Sequence, residues 1–147
     1  MKSIRTNIST LRQIVELIPG HLVKKISIKH GVDKKSRSFT PWSHVVSLLF
    51  SQLSHALSLN DVCDSLKNHI SMLTTIRGAV APSRNGLSYA NNNRNADMAE
   101  DLFWSVLAHL HSTSPSFGGR NYSGMPKRFK RMIKFSGSVL LFGIFKD

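Results

Sequence analysis

Residues 40–54 limit what this chain can fold into more than any other stretch. Thr40-Pro41 sets a hydroxyl that can accept a backbone N–H ahead of a proline at the first helical position, a start signal for a helix. Trp42, Val45, Val46, Leu49 and Leu53 then recur at helical spacing on one face, and Leu48 and Phe50 put apolar surface elsewhere. A helix apolar around most of its circumference has little to offer water, so it must be the central one. The expected architecture is mainly α: a small helical bundle wrapped around this helix. With 147 residues and 41% hydrophobic content, the chain has about one domain's worth of sequence and enough apolar side chains for a core.

The neighbours read as helices too. Leu11, Ile14, Val15 and Ile18 repeat at spacings of three and four until Pro19-Gly20 interrupts them. Leu22, Val23 and Ile26 continue on a second short helix ending near Gly31, and residues 31–39 are a polar, basic loop. Ser58, with Asp61 three residues on, is a capping signal, and Leu59, Val62, Cys63, Leu66, Ile70 and Leu73 predict one helix over 58–73. Residues 77–82 form a turn, Ser83 can cap a short helix over 84–94, and Asn95 or Asp97 begins a last one. That last helix carries Ala99, Leu102, Phe103, Val106, Leu107 and Leu110 on one face.

Charge is distributed unevenly. The net charge of +12 divides into +7 over residues 1–40, −1 over 41–112 and +6 over 113–147. A nearly neutral middle with two basic flanks suits a folded module that holds a polyanion by its arms, and nucleic acid is the expected partner. Lys34, Lys35 and Arg37 in one flank and Lys127, Arg128, Lys130 and Arg131 in the other are the expected phosphate contacts.

Several function classes drop out. No apolar run approaches the roughly 18–20 residues of a membrane span, and Met1–Asn7 lacks the apolar core of a signal peptide. Cys63, the one cysteine, excludes an intrachain disulfide and any multi-cysteine zinc site. These features predict a soluble cytoplasmic chain with no membrane partner. The seven histidines do not gather at ligand spacing, and Asp61, Asp64, Asp97, Glu100 and Asp101 sit in first helical turns, where they complement the helix dipole. No glycine-rich phosphate loop and no nucleophile elbow is present. No catalytic residue, metal site or cofactor is expected in this chain.

The strongest chemical signal is the pair of helices 58–73 and 84–94. A packed helix, a turn and a short polar helix make a helix-turn-helix-like arrangement, although residues 74–83 are long for a tight one. On the second helix Arg84, Ser88, Asn91 and Asn95 fall on one face, with Asn85 and Asn92 beside them. Arginine pairs with guanine and asparagine with adenine in the major groove. Arg84, Asn85, Ser88, Asn91 and Asn92 are the expected base contacts, and Leu87 and Ala90 would hold the helix to the body. Tyr89 suits either packing or a nucleic-acid contact.

Residues 113–126 are a linker by composition. A basic lead-in over 127–134 and the apolar run 139–145 follow, the latter reading as a buried strand. One such strand cannot make a domain, so 127–147 is expected to be the cut-short start of a second domain after a helical one over 1–112.

Phe39-Thr40-Pro41-Trp42, Leu49-Phe50-Ser51-Gln52-Leu53-Ser54, Ser58-Leu59-Asn60-Asp61-Val62-Cys63, Ala81-Pro82-Ser83-Arg84-Asn85-Gly86-Leu87-Ser88-Tyr89-Ala90-Asn91 and Leu102-Phe103-Trp104 occur in this order. Together they resemble the N-terminal region of bacterial insertion-sequence transposases of the IS-four type, over about residues 8–134. The resemblance implies a helical DNA-binding domain ahead of an RNase H-like domain whose Asp-Asp-Glu set holds two divalent metal ions, magnesium in a complete member. The first Asp of that set falls at Gly137 here, within Lys134-Phe135-Ser136-Gly137-Ser138, and the second Asp and the Glu are absent. The expectation is a catalytically incomplete, truncated transposase that binds double-stranded DNA at its element's terminal inverted repeats. The alternative is a module that pairs transposase subunits, as a homo-oligomer or with the full-length protein, with non-specific basic arms.

Overall fold

Thr40 caps as its place before Pro41 predicts. In the computed structural model its hydroxyl accepts from the Ser43 N–H at 3.2 Å, and the central helix begins at Pro41. The structure describes residues 2–32, 34 and 36–114, with side chains described from Ile8 onward. The described residues form seven helices and no strand: α1 (Lys2–Glu16), α2 (Gly20–Lys29), α3 (Pro41–Ser54), α4 (Leu59–Lys67), α5 (Ile70–Thr74), α6 (Arg84–Asn93) and α7 (Asp97–Thr113). The linker over 113–126 lies almost wholly outside the described residues, and the expected strand start at 127–147 lies entirely outside them.

The chain divides into two units, Met1–Arg94 and Asn95–Asp147. The division precedes the last helix, whereas the sequence reading runs one helical domain to residue 112. Arg94 marks the place: it leaves helical geometry with φ −83° and ψ 136°.

In the first unit α3 packs against α1, α2 and α4. The core gathers Ile8, Leu11 and Val15 of α1, Val46 and Phe50 of α3, Val62, Cys63 and Leu66 of α4, then Leu73, Ile76, Ala79 and Leu87. Each fully buried Leu or Phe adds about 1.5–3 kcal/mol to folding.

Central burial of α3 holds, but its deepest side differs from the expected stripe. Trp42, Val45, Leu49 and Leu53 are half-buried, while Val46 and Phe50 are buried together with Ser43, Ser47 and Ser51. Small hydroxyls at four-residue spacing let neighbouring elements come close without leaving orphaned polar atoms. Ser47 Oγ donates to Ser43 O at 2.8 Å, Ser51 Oγ donates to Leu48 O at 2.7 Å, and the Ser43 hydroxyl accepts from the Val80 N–H at 3.0 Å. Sequence periodicity ranks serine as polar and misses such a face.

The single helix expected over 58–73 is two. Ser58 caps it as predicted, accepting from the Asp61 N–H at 3.2 Å. The helix stops at Asn68, and His69 (φ −124°, ψ 29°) breaks the ladder before α5. The His69 ring donates from Nδ1 to Ser65 O at 2.9 Å, closing the end of α4. The break takes Ile70 off the apolar stripe into solvent while Leu73 and Ile76 still reach the core.

Elsewhere the local signals hold. α2 ends in a complete Schellman motif: Val32 N–H donates to Ser27 O, Gly31 N–H donates to Ile28 O, and Gly31 takes the left-handed conformation at φ 68°. After α5 two consecutive left-handed residues, Arg77 (φ 49°) and Gly78 (φ 68°), reverse the chain. A glycine adopts this freely, but an arginine does so at a cost of roughly 1–2 kcal/mol.

In the second unit α7 starts at Asp97, whose N–H donates to Asn95 Oδ1 at 3.0 Å. Met98 and Leu102 are buried, and Phe103 and Trp104 meet edge to face at 5.1 Å. No helix among the described residues is long and apolar enough to cross a membrane.

Candidate nucleic-acid interface

α6 begins as its sequence predicts, with Ser83 Oγ accepting from the Gly86 N–H at 3.0 Å. Leu87 and Ala90 are buried, and α6 packs against α4. A packed helix followed by a polar one is present, but α5 and the Arg77-Gly78 turn stand between them, so this is not a tight helix-turn-helix.

Tertiary contacts set the rotation of α6. Asn91 faces α3, where its Oδ1 accepts from His44 Nε2 at 2.7 Å. At the C-terminal end the Arg94 guanidinium donates to the carbonyls of Phe39 and Thr40 and lies over the Phe39 ring, 5.3 Å from its centroid. Burial depresses the His44 pKa to about 4; the Asn91 hydrogen bond opposes this and the positive charge of Arg94 adds to it. The imidazole is therefore neutral at physiological pH.

With Asn91 turned inward, the solvent face of α6 differs from the predicted one. Asn85, Tyr89 and Asn92 are exposed along it, and Ser88 is half-buried at its margin. Arg84 is exposed at the N-terminal end but reaches back to Asp64 of α4, NH2 to Oδ2 at 3.3 Å. That pair is exposed on both sides and is worth roughly 0–1 kcal/mol, so a phosphate or a base edge could displace it. The Asn93 side chain donates to Tyr89 O at 2.9 Å and so folds back on its own helix.

Of the five expected base contacts, Asn85, Ser88 and Asn92 share one accessible face, Arg84 borders it, and Asn91 does not join it. A base contact by Asn91 would require breaking the His44 bond. The sequence reading had left Tyr89 open; its exposure puts it on the accessible face. Nothing in the spacing of His44 pointed to its partnership with Asn91, because the two are 47 residues apart.

Among the expected phosphate contacts, Lys34 and Arg37 are exposed in the loop between α2 and α3. That loop enters α3 through Phe39 and Thr40, the residues whose carbonyls hold Arg94 at the end of α6. Lys35, Lys127, Arg128, Lys130 and Arg131 lie outside the described residues. α2 adds exposed Lys24, Lys25 and Lys29, which the sequence reading did not single out.

Cys63 is fully buried, and its thiol pKa is raised chiefly by that burial, which suits packing rather than reactivity. Among the described residues no group of three or more His, Cys, Asp or Glu converges as a metal site.

No curated protein and no solved structure matches the chain. Residues 6–76, from α1 through α5, match the family described as Domain of unknown function (DUF4372), with α6 lying beyond the matched stretch.

Proposed function

We propose that this chain is the DNA-binding N-terminal portion of a transposase, engaging the terminal inverted repeats of its element through α6. The observation that carries the reading is the accessible face of α6, where Asn85, Tyr89 and Asn92 are exposed and Leu87 and Ala90 anchor the opposite side. Carboxamides are bidentate partners for adenine in the major groove, and the tyrosine adds a hydroxyl for a phosphate or an apolar face for a base. Lys34 and Arg37 supply backbone contacts from the adjoining loop; Lys35, Lys127, Arg128, Lys130 and Arg131 extend the basic track in sequence. A DUF4372 domain over residues 6–76, a domain found in transposase-like proteins, supports the same reading. In it, the described residues bind DNA and take no part in cutting it.

The test is binding of the purified chain to the element's terminal repeats and to scrambled duplexes across a salt series. The reading expects at least tenfold preference for the repeats, roughly 1.4 kcal/mol, on top of a steep salt dependence. Equal, salt-fragile binding to both duplexes would sink the sequence-reading role of α6. A DNA-independent dimer with no duplex preference would favour subunit pairing instead.

A further inference from the structure

We infer that the cleft between α2, the start of α3 and the Arg77-Gly78 turn is a binding pocket for one phosphate-bearing nucleotide unit. Arg77 and Lys24 would take the phosphate, and the sugar or base would lie on the wall formed by Val23, Pro41 and Trp42. The DNA origin of that unit rests on the function proposed above; the phosphate chemistry of the pocket does not.

The cleft has a volume of about 350 Å³. Ligand sites run from roughly 300 to 1,000 Å³, so this one suits a single small ligand. Among the described residues its lining includes two cations, Lys24 and Arg77, and no carboxylate. Among the described residues neither cation has an ion-pair partner. Two helices of ten and fourteen residues also begin on its wall, α2 at Gly20 and α3 at Pro41. α2 has no side-chain cap, α3 is capped by the Thr40 hydroxyl, and neither helix has an acid in its first turn, so neither positive end carries a counter-charge of its own.

Arg77 is held in place by two contacts. Arg77 NH1 donates to Ile18 O at 2.6 Å, and its guanidinium lies over the Trp42 ring at 5.2 Å from the centroid. Trp42 is fixed in turn by its Nε1 donating to Ile76 O at 3.0 Å. The Ile18 bond uses one of the five N–H donors of the guanidinium, leaving a fork of the shape that phosphate oxygens accept. Arg77 holds this position from a left-handed backbone (φ 49°), where glycine would be less strained. A surface arginine serving only solubility would have no need of that backbone or of those two contacts. Inorganic phosphate would need only the cations; the apolar wall beside them is what selects a nucleotide.

The full chain with Trp104→Phe leaves Trp42 as the single tryptophan, and its emission reports on the cleft. The probes are the duplex, a single-stranded oligonucleotide, a deoxymononucleotide and inorganic phosphate, with DNA binding followed in parallel by anisotropy of labelled DNA. Saturable change in Trp42 emission with DNA is expected, with affinity falling about tenfold in both Arg77→Gln and Lys24→Gln and partly recovering in Arg77→Lys. Lys24→Gln alters an exposed residue and guards against misfolding of the Arg77 variants. DNA binding by anisotropy with silent Trp42 emission and unchanged affinity in Lys24→Gln overturns the pocket and leaves the DNA-binding reading standing. A response to the mononucleotide without DNA binding supports the pocket, overturns its DNA source and overturns the function proposed above. Silence toward all four probes overturns the pocket.

Discussion

His44 of α3 and Asn91 of α6 are joined by a 2.7 Å hydrogen bond between Nε2 and Oδ1. A carboxamide oxygen can only accept, so Nε2 carries the proton. Burial, which pushes the His44 pKa down to about 4, leaves Nδ1 without one, so the ring is neutral at physiological pH. The Asn91 Nδ2 is buried and, among the described residues, has no hydrogen-bond partner. The pair thus sets the rotation of α6 on α3 while leaving one donor unsatisfied, a cost of roughly 1–3 kcal/mol.

The depressed His44 pKa makes stability depend on pH. The unfolded chain binds this proton near pH 6.5 and the folded one only near pH 4. Between those values the unfolded state holds more protons, so stability falls as pH drops, by at most about 1.4 kcal/mol per pH unit and roughly 3 kcal/mol in all. Above pH 6.5 the contribution is flat. Urea denaturation at pH 7, 5.5 and 4 should give this decline, and His44→Gln should remove its share. A slope unchanged in His44→Gln would place the acid sensitivity elsewhere.

Asn91→Asp should reverse the sign. A carboxylate facing the imidazole favours the imidazolium, so the folded His44 pKa rises above its unfolded value. Stability gained from the pair is then present below pH 6.5 and lost as pH rises through the raised pKa. The same denaturation series measures it, with NMR titration of His44 reporting the shift directly.

Asn91 and Asn92 should separate cleanly in DNA binding. Asn92→Ala and Asn85→Ala remove exposed carboxamides and should lower discrimination between specific and scrambled duplexes by about 1–3 kcal/mol at the affected base, with little change in stability. Asn91→Ala should cost stability and spare discrimination. Loss of discrimination in Asn91→Ala with unchanged stability would mean that α6 turns when it binds.

Arg94→Met should loosen the C-terminal end of α6 by removing the bonds to Phe39 O and Thr40 O, with most of the cost, about 1.5–3 kcal/mol before relaxation, from the part-buried bond to Phe39 O. Because the Arg94 charge also lowers the His44 pKa, that pKa should move up in the same variant. A thermal melt and a His44 titration check both.

Gly31→Ala should destabilise by about 1 kcal/mol. Among the described residues no atom lies within 4 Å of where its Cβ would stand, so the cost is that of the left-handed backbone at φ 68°. Differential scanning calorimetry reads it as a lowered Tm.

The helix boundaries were written in the sequence because they are settled within a few residues. Thr40, Ser58 and Ser83 each accept from an N–H three positions on, and Gly31 closes α2 through bonds spanning three and five residues. Such contacts form wherever those residues stand, whatever surrounds them. The central place of the helix after Pro41 was legible for the same reason, since its apolar circumference is a property of the segment alone. The break at Asn68-His69 was less legible, because the apolar periodicity runs straight through it and only the demand that Leu73 and Ile76 reach the core interrupts the helix.

The direction in which α6 presents its asparagines was settled only by the tertiary structure. Neighbouring positions on a helix differ by about 100° around its axis, so the rotation of α6 decides whether Asn91 or Asn92 stands on the outer face, and just Leu87 and Ala90 in its sequence mark the side that packs. The contacts that fix it, His44 with Asn91 and Arg94 with Thr40 and Phe39, join residues 47, 54 and 55 positions apart. Their geometry exists only after the chain has closed on itself, so no local pattern in the sequence encodes it.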